Sequence, residues 1–282
     1  MLLKARAFAK INLFLDITGK REDGYHELDS IFQSVSLYDE VTLELCESGI
    51  SVICDKDELS GEENIVYKAC KLFFDAVAYS GGVKVKIGKN IPVAAGMAGG
   101  SADAAATLYL LNIALKADMP FEELSKIALK LGADVPFCLC GGTARVKGIG
   151  EKIQTVNTPE MHYVLLKEMQ KQSTGKMFAK IDEIGFETEQ SIEEMLQGLN
   201  CSDIKKVSEN LFNAFAFCWP FEEMTSCFNP YSYKGVFLSG SGPTVGAIFE
   251  TKEEAQKCAY NLKKAGLNAY YACSTNCGIL TE

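Results

Sequence analysis

Apolar and polar residues alternate along several segments of the chain, and this period of two predicts β-strands. In the segment 9–19, apolar side chains occupy positions 11, 13, 15 and 17, with Asn12 and Asp16 between them. Asp23 and Gly24 mark a turn after this first strand. Similar patterns predict further strands over 41–46, 50–54, 83–87, 144–151, 162–166, 235–250 (two strands joined by a glycine turn) and 268–274.

Apolar residues spaced three and four apart, together with capping residues, predict the helices. These helices are 64–79, capped by Asn64; 101–117; 118–131, with Gly132 as C-cap; 174–184; 191–199; 203–217; and 251–264, with Thr251 and Glu254 as a capping box. The mixture of elements predicts an α+β protein. A chain of 282 residues favours one large or two medium domains, and the polar link 155–160 predicts a boundary between residues 1–155 and 156–282.

Composition disfavours several classes of function. The net charge of −9 argues against a surface for nucleic acid or an anionic membrane. No apolar run predicts a membrane span, and the first ten residues lack the apolar region of a signal peptide. Eleven cysteines, an odd number, favour a reducing cytoplasm. His26 and His162 are the only histidines and no paired CxxC motif is present, so a zinc site is not expected.

The segment 91–112, IPVAAGMAGGSADAAATLYLLN, joins a predicted strand to a predicted helix through a loop with few large side chains. Gly96, Gly99 and Gly100 permit positive φ angles, and Ser101 falls at the expected N-cap. Main-chain N–H groups and the positive end of the helix dipole converge at such a point and bind phosphate. The spacing fits neither GxxxxGK[ST] nor GxGxxG. A flexible loop before a tightly packed helix of small residues is the alternative.

Polar residues at other points of the chain carry further candidate chemistry. Lys10 and Asn12 lie on the polar face of the first strand, and Asp134 lies in LGADVPF between a helix end and a proline. A Lys–Asp pair in a cleft suits phosphoryl transfer, because the carboxylate accepts or orients a hydroxyl proton and the ammonium offsets negative charge. Solvated surface groups are the alternative. Tyr25 beside His26 suits a flat heteroaromatic base, and the turn at 239–246 suits either a ligand or a tight hairpin.

Together, FAKINLFL, IPVAAGMAGGSADAAA and LSGSGPTVGAIF resemble the basic strand, the phosphate loop and the C-terminal glycine-rich turn of the GHMP small-molecule kinases. The resemblance runs over nearly the whole chain. It implies an N-terminal ribosomal-S5-like domain that binds ATP, a C-terminal α/β sandwich with an antiparallel sheet, and a substrate cleft between them. The stretches AKINLFLDITGKREDGYHELDSIFQSVSLYD and LGADVPFCLCGG resemble a subgroup whose acceptor is a methylerythritol linked to cytidine diphosphate.

The same resemblance implies roles for individual residues. Lys10 and Asp134 become the catalytic pair beside the 2-hydroxyl of the acceptor. Tyr25 and His26 become contacts of the cytosine, and Phe178 the aromatic on its other face. The other substrate contacts are Asn12, Thr174, Gly240, Ser241 and Gly242. The ATP-binding residues are Asn64, near the adenine, and Ala94, Ala95, Gly96, Met97, Ala98, Gly99, Gly100, Ser101, Ala102, Asp103 and Ala104 in the phosphate loop.

ATP is the implied phosphate donor and Mg²⁺ the implied cofactor, with Ser101 as a candidate ligand. Met97, Ala98 and Ala102 depart from the residues usual in the family. Ala98 is expected to take an ordinary negative φ because it carries a Cβ. The loss of a hydroxyl at Ala102 leaves Ser101 to act.

Two alternatives stay open. Another GHMP kinase would act on homoserine, mevalonate or a sugar, but Tyr25, His26 and Phe178 favour a cytidyl ligand. A non-catalytic nucleotide-binding relative would be expected to lack Lys10 or Asp134, and both are present. The expected partners are small molecules, with no nucleic acid and no membrane, and the expected assembly is a monomer or weak homodimer.

Overall fold

The computed structural model describes residues 2–282, which form two β-sheets and nine α-helices. The strands are β1 Leu2–Lys20, β2 His26–Cys46, β3 Ile50–Cys54, β4 Gly82–Gly88, β5 Thr143–Gly148, β6 Lys152–Val156, β7 His162–Leu166, β8 Phe212–Asn213, β9 Gly235–Leu238, β10 Val245–Phe249, β11 Ala269–Cys273 and β12 Ile279–Thr281. The helices are α1 Ile65–Val77, α2 Gly99–Ala114, α3 Phe121–Leu131, α4 Val135–Cys140, α5 Thr174–Ile184, α6 Ile192–Cys201, α7 Ile204–Glu209, α8 Phe221–Thr225 and α9 Lys252–Lys264.

The first sheet is built around the long antiparallel pair of β1 and β2. Its order is β12-β1-β2-β4-β3, with β5 and β6 continuing from β2 and β8 added beside β1. Lys10 lies opposite Ser34, and Asn12 lies opposite Phe32. The two strands are joined at the predicted turn, where Gly24 takes a positive φ of 87°. The hairpin therefore carries the Lys10 strand and the turn with Tyr25 on one continuous unit.

Helix α2 is buried against β1 and against the helices α1 and α4. Ala104, Ala105 and Ala106 have no exposed surface. A helix that is apolar on nearly all sides belongs in a core, and small side chains let its neighbours approach closely. The packing holds the first turn of α2 against the sheet that carries Lys10.

The second sheet has the order β11-β7-β10-β9 and is antiparallel throughout. Helix α9 packs on it and begins with the predicted capping box of Thr251 and Glu254. The glycine turn that follows β9 reverses the chain into β10. The α+β class and the antiparallel C-terminal sheet are thus confirmed.

Segments beyond residue 156 also extend the first sheet. Strand β8 runs parallel to β1, with Phe14 beside Phe212, and β12 runs antiparallel to β1, with Ala5 beside Thr281. Strand β6 spans the expected boundary. The division into 1–155 and 156–282 therefore stays a prediction.

The helix predicted over 203–217 is wrong beyond Glu209, where the chain enters β8 and a short 3₁₀ segment. The Asn213 amide donates there to the carbonyls of Leu238 and Gly240, at 2.8 and 2.9 Å. Tertiary hydrogen bonds of this kind override a helical pattern. Strand residues 26–40 and 279–281 lie outside the strands that the pattern predicts.

The other helix predictions hold within a few residues at each end. The Asn64 side chain caps α1 by accepting the N–H of Val66 at 2.9 Å. Helix α3 ends before Gly132, as predicted. Among residues 2–282, no helix has the length and apolarity needed to cross a membrane. The same residues hold no cluster of three or more histidine, cysteine or acidic side chains placed to bind a metal.

Candidate active site

A cleft of about 1280 Å³ brings most of the predicted site residues together. The predicted residues in its lining are Lys10, Asn12, Tyr25, His26, Asn64, Ala94, Ala95, Gly96, Ala98, Gly99, Gly100, Ser101, Asp103, Asp134, Thr174, Phe178, Gly240 and Ser241. Met97, Ala102, Ala104 and Gly242 are absent from that lining. The side chains of the first three are buried in the core, and their role in binding ATP stays a prediction.

The phosphate loop begins its helix earlier than predicted. Ala98, not Ser101, is the N-cap of α2, and its φ of 56° lies in the left-handed region. The expectations of a negative φ at Ala98 and of an N-cap at Ser101 are therefore wrong. Of the three glycines that permit a positive φ, Gly96 adopts one, whereas Gly99 and Gly100 are helical.

This shift strengthens the case for an anion site at the helix terminus. The N–H of Ala102 already bonds to the carbonyl of Ala98 at 2.9 Å. Gly99, Gly100 and Ser101 are thus the first three helical residues, whose N–H groups have no acceptor within the helix. All three line the cleft. Three free donors and the positive dipole end converge at that wall.

Gly96 joins the phosphate loop to the C-terminal glycine turn. Its φ is 78°, and a Cβ there would lie 2.4 Å from the carbonyl oxygen of Ser239. The Ser239 hydroxyl donates to the Gly96 carbonyl at 2.9 Å, and Thr244 N–H donates to the Ala95 carbonyl at 3.3 Å. The two glycine-rich segments, far apart in sequence, therefore meet in the wall of the cleft.

Lys10 is almost fully buried, with its ammonium at the cleft. Its Nζ donates to Asn12 Oδ1 at 2.8 Å and forms an ion pair with Asp134 at 3.6 Å. It also lies 4.1 Å from the centroid of the Phe32 ring. The ammonium is thus in contact with the Asn12 amide, the Phe32 ring and the Asp134 carboxylate. This side chain is held in place before any ligand binds.

Asp134 is placed by the short segment between α3 and α4. It precedes Val135 and Pro136, and 35% of its side chain is exposed. Its carboxylate makes no capping hydrogen bond to α4, so its oxygens are free to face the cleft beside Lys10. A partly solvated carboxylate beside an ammonium can accept a hydrogen bond from a bound hydroxyl.

Asn12 is buried at the wall of the cleft, and the hydrogen bonds of its side chain are made to protein groups. Its Oδ1 accepts from Lys10 and also from the N–H of Gly240 at 2.9 Å. Its Nδ2 donates to the Ser30 hydroxyl at 3.0 Å, and that hydroxyl donates to the Phe14 carbonyl. The geometry makes Asn12 a positioning group for Lys10.

A buried charge cluster lies under the first turn of α2. The Lys89 ammonium bonds to Asp103 at 2.7 Å and to Asp39, which also accepts the N–H groups of Asn90 and Ile91. Burial, reinforced by the charge of Asp39, raises the pKa of Asp103 to about 8, although Lys89 opposes this shift. The Oδ1 atom of Asp103 has no hydrogen-bond partner among residues 2–282. One ammonium is thus shared by two carboxylates, and one carboxylate oxygen is left unpaired.

Aromatic side chains form another part of the lining. Tyr25 is 61% exposed, and the His26 ring stacks on Phe178 with centroids 4.4 Å apart and planes at 14°. His26 Nε2 lies 2.7 Å from Asp182. Phe178 also meets Phe215 edge-on at 5.0 Å. One face of the His26 ring is thus covered by Phe178, and its Nε2 edge faces Asp182.

Thr174 and Ser241 connect α5 to the glycine turn. Their hydroxyls lie 3.4 Å apart, and both residues line the cleft. Gly242 has a φ of 82°, and a Cβ there would lie 2.5 Å from Nε1 of Trp219. That indole donates to the Ser241 carbonyl at 3.1 Å. Gly242 therefore shapes the turn, whereas Ser241 faces the cavity.

Lys171 is a cleft residue that the sequence patterns do not single out. It makes no hydrogen bond or ion pair with the other described residues and lines the same cavity as Lys10 and Asp134. Partial desolvation in the cleft, and next the charge of Lys10, lower the pKa of Lys171, while Asp134 opposes them. An unpaired ammonium therefore lies in the same cleft as the Lys10–Asp134 pair. Its position two residues before the N-cap Ser173 is the only sequence signal.

The model of the GHMP kinases N terminal domain matches residues 64–142, and that of the GHMP kinases C terminal matches residues 188–268. A Clostridium beijerinckii protein named 4-diphosphocytidyl-2-C-methyl-D-erythritol kinase is 41% identical, covering 93% of this chain and 96% of the relative. One from Clostridium novyi with the same name is 39% identical, covering 96% and 99%.

The chain belongs to the 4-diphosphocytidyl-2-C-methyl-D-erythritol kinases of the GHMP superfamily.

Solved structures agree with this family. A 4-(cytidine 5'-diphospho)-2C-methyl-D-erythritol kinase matches with a TM-score of 0.83 and 30% identity, over 96% of this chain and 98% of the other. The homoserine kinase of Cytophaga hutchinsonii shares the fold, with a TM-score of 0.77 at 19% identity, over 100% of this chain and 97% of the other. As a GHMP kinase, the protein takes ATP as phosphate donor and a small-molecule acceptor.

Proposed function

We propose that the protein transfers the γ-phosphoryl group of ATP to the 2-hydroxyl of 4-diphosphocytidyl-2-C-methyl-D-erythritol, a step in non-mevalonate isoprenoid precursor synthesis. The observation that carries the proposal is the single cleft. It combines the free N–H groups at the start of α2, the Lys10–Asp134 pair, and the aromatic group of Tyr25, His26 and Phe178.

The phosphates of ATP would bind at the first turn of α2. The N–H groups of Gly99, Gly100 and Ser101 would donate to phosphate oxygens. Asn64 supports the adenine side indirectly, because its amide is already bonded to Val66 N–H and to the Leu59 carbonyl, at 2.9 and 2.7 Å. Main-chain groups would therefore supply most of the interactions that bind ATP.

The acceptor hydroxyl would lie beside Asp134 and Lys10. Asp134 accepts its hydrogen bond and orients an oxygen lone pair toward the γ-phosphorus. Lys10 offsets the negative charge that gathers on the oxygens during transfer. Because Asn12 and Phe32 already fix Lys10, little reorganisation is needed when the substrates arrive.

Mg²⁺ would fit beside the phosphates. The Ser101 hydroxyl lines the cleft, and the buried Oδ1 of Asp103 is unpaired. Both are oxygen donors of the kind that Mg²⁺ prefers. These two residues would hold the ion together with phosphate oxygens and water, and the ion when bound offsets phosphate charge.

We place this reaction in the cytoplasm, carried out by a monomer or weak homodimer. All eleven cysteines are free thiols, which suits a reducing compartment.

The test is an acceptor panel. The purified protein is incubated with ATP, Mg²⁺ and cytidyl-linked methylerythritol, homoserine or mevalonate, with ADP release as readout and phosphorus NMR to locate the new phosphate. We expect turnover with the cytidyl acceptor and phosphate on its 2-hydroxyl. Faster turnover with homoserine or mevalonate, or phosphate at another hydroxyl, would contradict the proposal. A Lys10→Ala, Asp134→Asn double variant supplies the background rate.

A further inference from the structure

At the aromatic end of the cleft, the carboxylate of Asp182 contacts the side chains of both His26 and Lys20. One oxygen lies 2.7 Å from His26 Nε2, and the other accepts from Lys20 Nζ at 2.5 Å. Asp182 stands one helical turn after Phe178 on α5, so both side chains share a face. His26 is therefore held twice, by a ring stacked on its face and by a carboxylate at its edge.

These contacts decide which ring nitrogen carries hydrogen. Hydrogen bonds from Lys20, and then from His26, lower the pKa of Asp182, so the carboxylate is ionised and only accepts. Nε2 of His26 must then be the N–H donor. In the neutral imidazole, this tautomer leaves Nδ1 as an unprotonated acceptor. Nδ1 has no hydrogen-bond partner among residues 2–282.

We propose that Asp182 is a positioning residue that makes the cleft select an aminopyrimidine, by holding His26 in the tautomer whose free Nδ1 accepts a hydrogen bond. An exocyclic amino group, as on cytosine, donates to such an atom. The carbonyl oxygen that uracil carries at the same position would face the lone pair of Nδ1, which cannot donate a hydrogen bond to it. Selection therefore arises from the repulsion of the uracil carbonyl as much as from the hydrogen bond to the cytosine amino group. The inference rests on the proposed function, because it takes the acceptor to carry a pyrimidine.

The first test reads the tautomer without any substrate. The chain has two histidines, so ¹⁵N-histidine labelling gives two pairs of imidazole nitrogen signals, and His162→Gln assigns them. We expect His26 to show a protonated Nε2 and an unprotonated Nδ1 in the wild-type protein at neutral pH. A protonated Nδ1 would overturn the proposal.

The second test compares acceptors linked to cytidine diphosphate and to uridine diphosphate. We expect wild-type kcat/KM to favour the cytidyl acceptor by about 100-fold or more. In Asp182→Asn the amide can donate to Nε2, which moves the hydrogen to Nδ1. We expect the preference to fall at least tenfold through the acceptor KM, with ATP affinity unchanged.

The matched control is Glu183→Gln, which removes a neighbouring exposed carboxylate on α5. It should leave the preference and the nitrogen shifts as in wild type. An unchanged preference in Asp182→Asn, or an equal fall in Glu183→Gln, would overturn the proposal. Absence of turnover with either nucleotide would reject the proposed function instead, and the wild-type nitrogen shifts would still decide the tautomer.

Discussion

The Oδ1 atom of Asn12 accepts hydrogen bonds from both Lys10 Nζ, at 2.8 Å, and Gly240 N–H, at 2.9 Å. One amide oxygen thus ties the ammonium beside Asp134 to the glycine turn of the second half of the chain. The orientation of Lys10 depends on a group that never needs to touch a ligand.

Replacement of Asn12 by Ala should therefore slow catalysis without weakening ATP binding. A hydrogen bond to a charged group is worth about 1.5–3 kcal/mol, so we expect kcat to fall by about 10- to 100-fold. Steady-state kinetics and calorimetry with ATP measure the two effects separately. Asn112→Ala is the control, because that amide also bridges main-chain groups, at Met119, but lies outside the cleft. It should lose stability and keep kcat; an equal loss of kcat in both would refute the positioning role.

Lys10→Ala and Asp134→Asn should each lower kcat by at least about 100-fold, the scale of a positioned electrostatic or acid–base group. Because the two side chains act on one hydroxyl, the double variant should be little slower than either single variant. Single-turnover kinetics with saturating substrates measures this step. Near-wild-type rates in both single variants, or losses that multiply in the double variant, would contradict a joint role.

Gly96 and Gly100 should respond to substitution in opposite ways. Gly96→Ala forces a Cβ against main-chain atoms at a positive φ, so we expect a lower melting temperature. At Gly100 a Cβ would meet only Ile65, at 3.7 Å, so Gly100→Val should fold. Its bulk at the phosphate wall should raise the ATP Kd by at least about tenfold, in line with 1–3 kcal/mol for overpacking. Unchanged ATP affinity in a folded Gly100→Val would indicate that the loop is only structural.

Tyr25→Ala should raise the KM of the cytidyl acceptor and leave the KM of ATP unchanged. Stacking on a base is worth about 1–3 kcal/mol, which corresponds to about a 5- to 150-fold weaker acceptor complex. Tyr25 is exposed, so the melting temperature should not change. Tyr260→Ala removes an equally exposed ring elsewhere on the surface and should affect neither KM. Equal losses for both substrates would argue against stacking.

Lys171→Gln should reduce kcat by about tenfold, since a cation close to transferring phosphoryl oxygens stabilises the charge that develops there. Lys176→Gln is the matched control, because it removes the same charge from an exposed position outside the cleft lining. The kcat of each variant, measured at saturating ATP and acceptor, tests whether Lys171 has this role. A slower Lys176→Gln, or an unchanged Lys171→Gln, would show that only the overall charge of this segment counts.

Local patterns were sufficient for most of the fold. The alternation around Lys10, the Asn64 cap and the Thr251 capping box each depend on residues close in sequence, and each prediction holds. The helix predicted through Asn213 fails because its amide finds carbonyls some distance along the chain. A sequence pattern carries no sign of such a partner.

The candidate site likewise combines features that local sequence patterns predict with features that depend on residues distant in the chain. Spacing alone leads to the phosphate loop, but the left-handed Ala98 is imposed by the packed helix that follows it. Lys89 and Asp39 are 50 positions apart, and only the strand order brings them to Asp103. The one hint was Asp103 itself, a carboxylate within an alanine-rich helix, which needs a buried cation to balance it.

The position of Gly240 late in the sequence also has a consequence for folding during synthesis. During synthesis, Lys10, the phosphate loop and Asp134 leave the ribosome in the first half of the chain, and nascent domains begin to fold from the N-terminal side. The turn that fixes Asn12 emerges much later, and β12, the outer neighbour of β1, comes last. A nascent chain that already contains Lys10 and the start of α2 thus still lacks the hydrogen bond from Gly240 that holds Asn12 beside the Lys10 ammonium. The Lys10–Asn12–Gly240 arrangement can therefore form only after residue 240 has been synthesised.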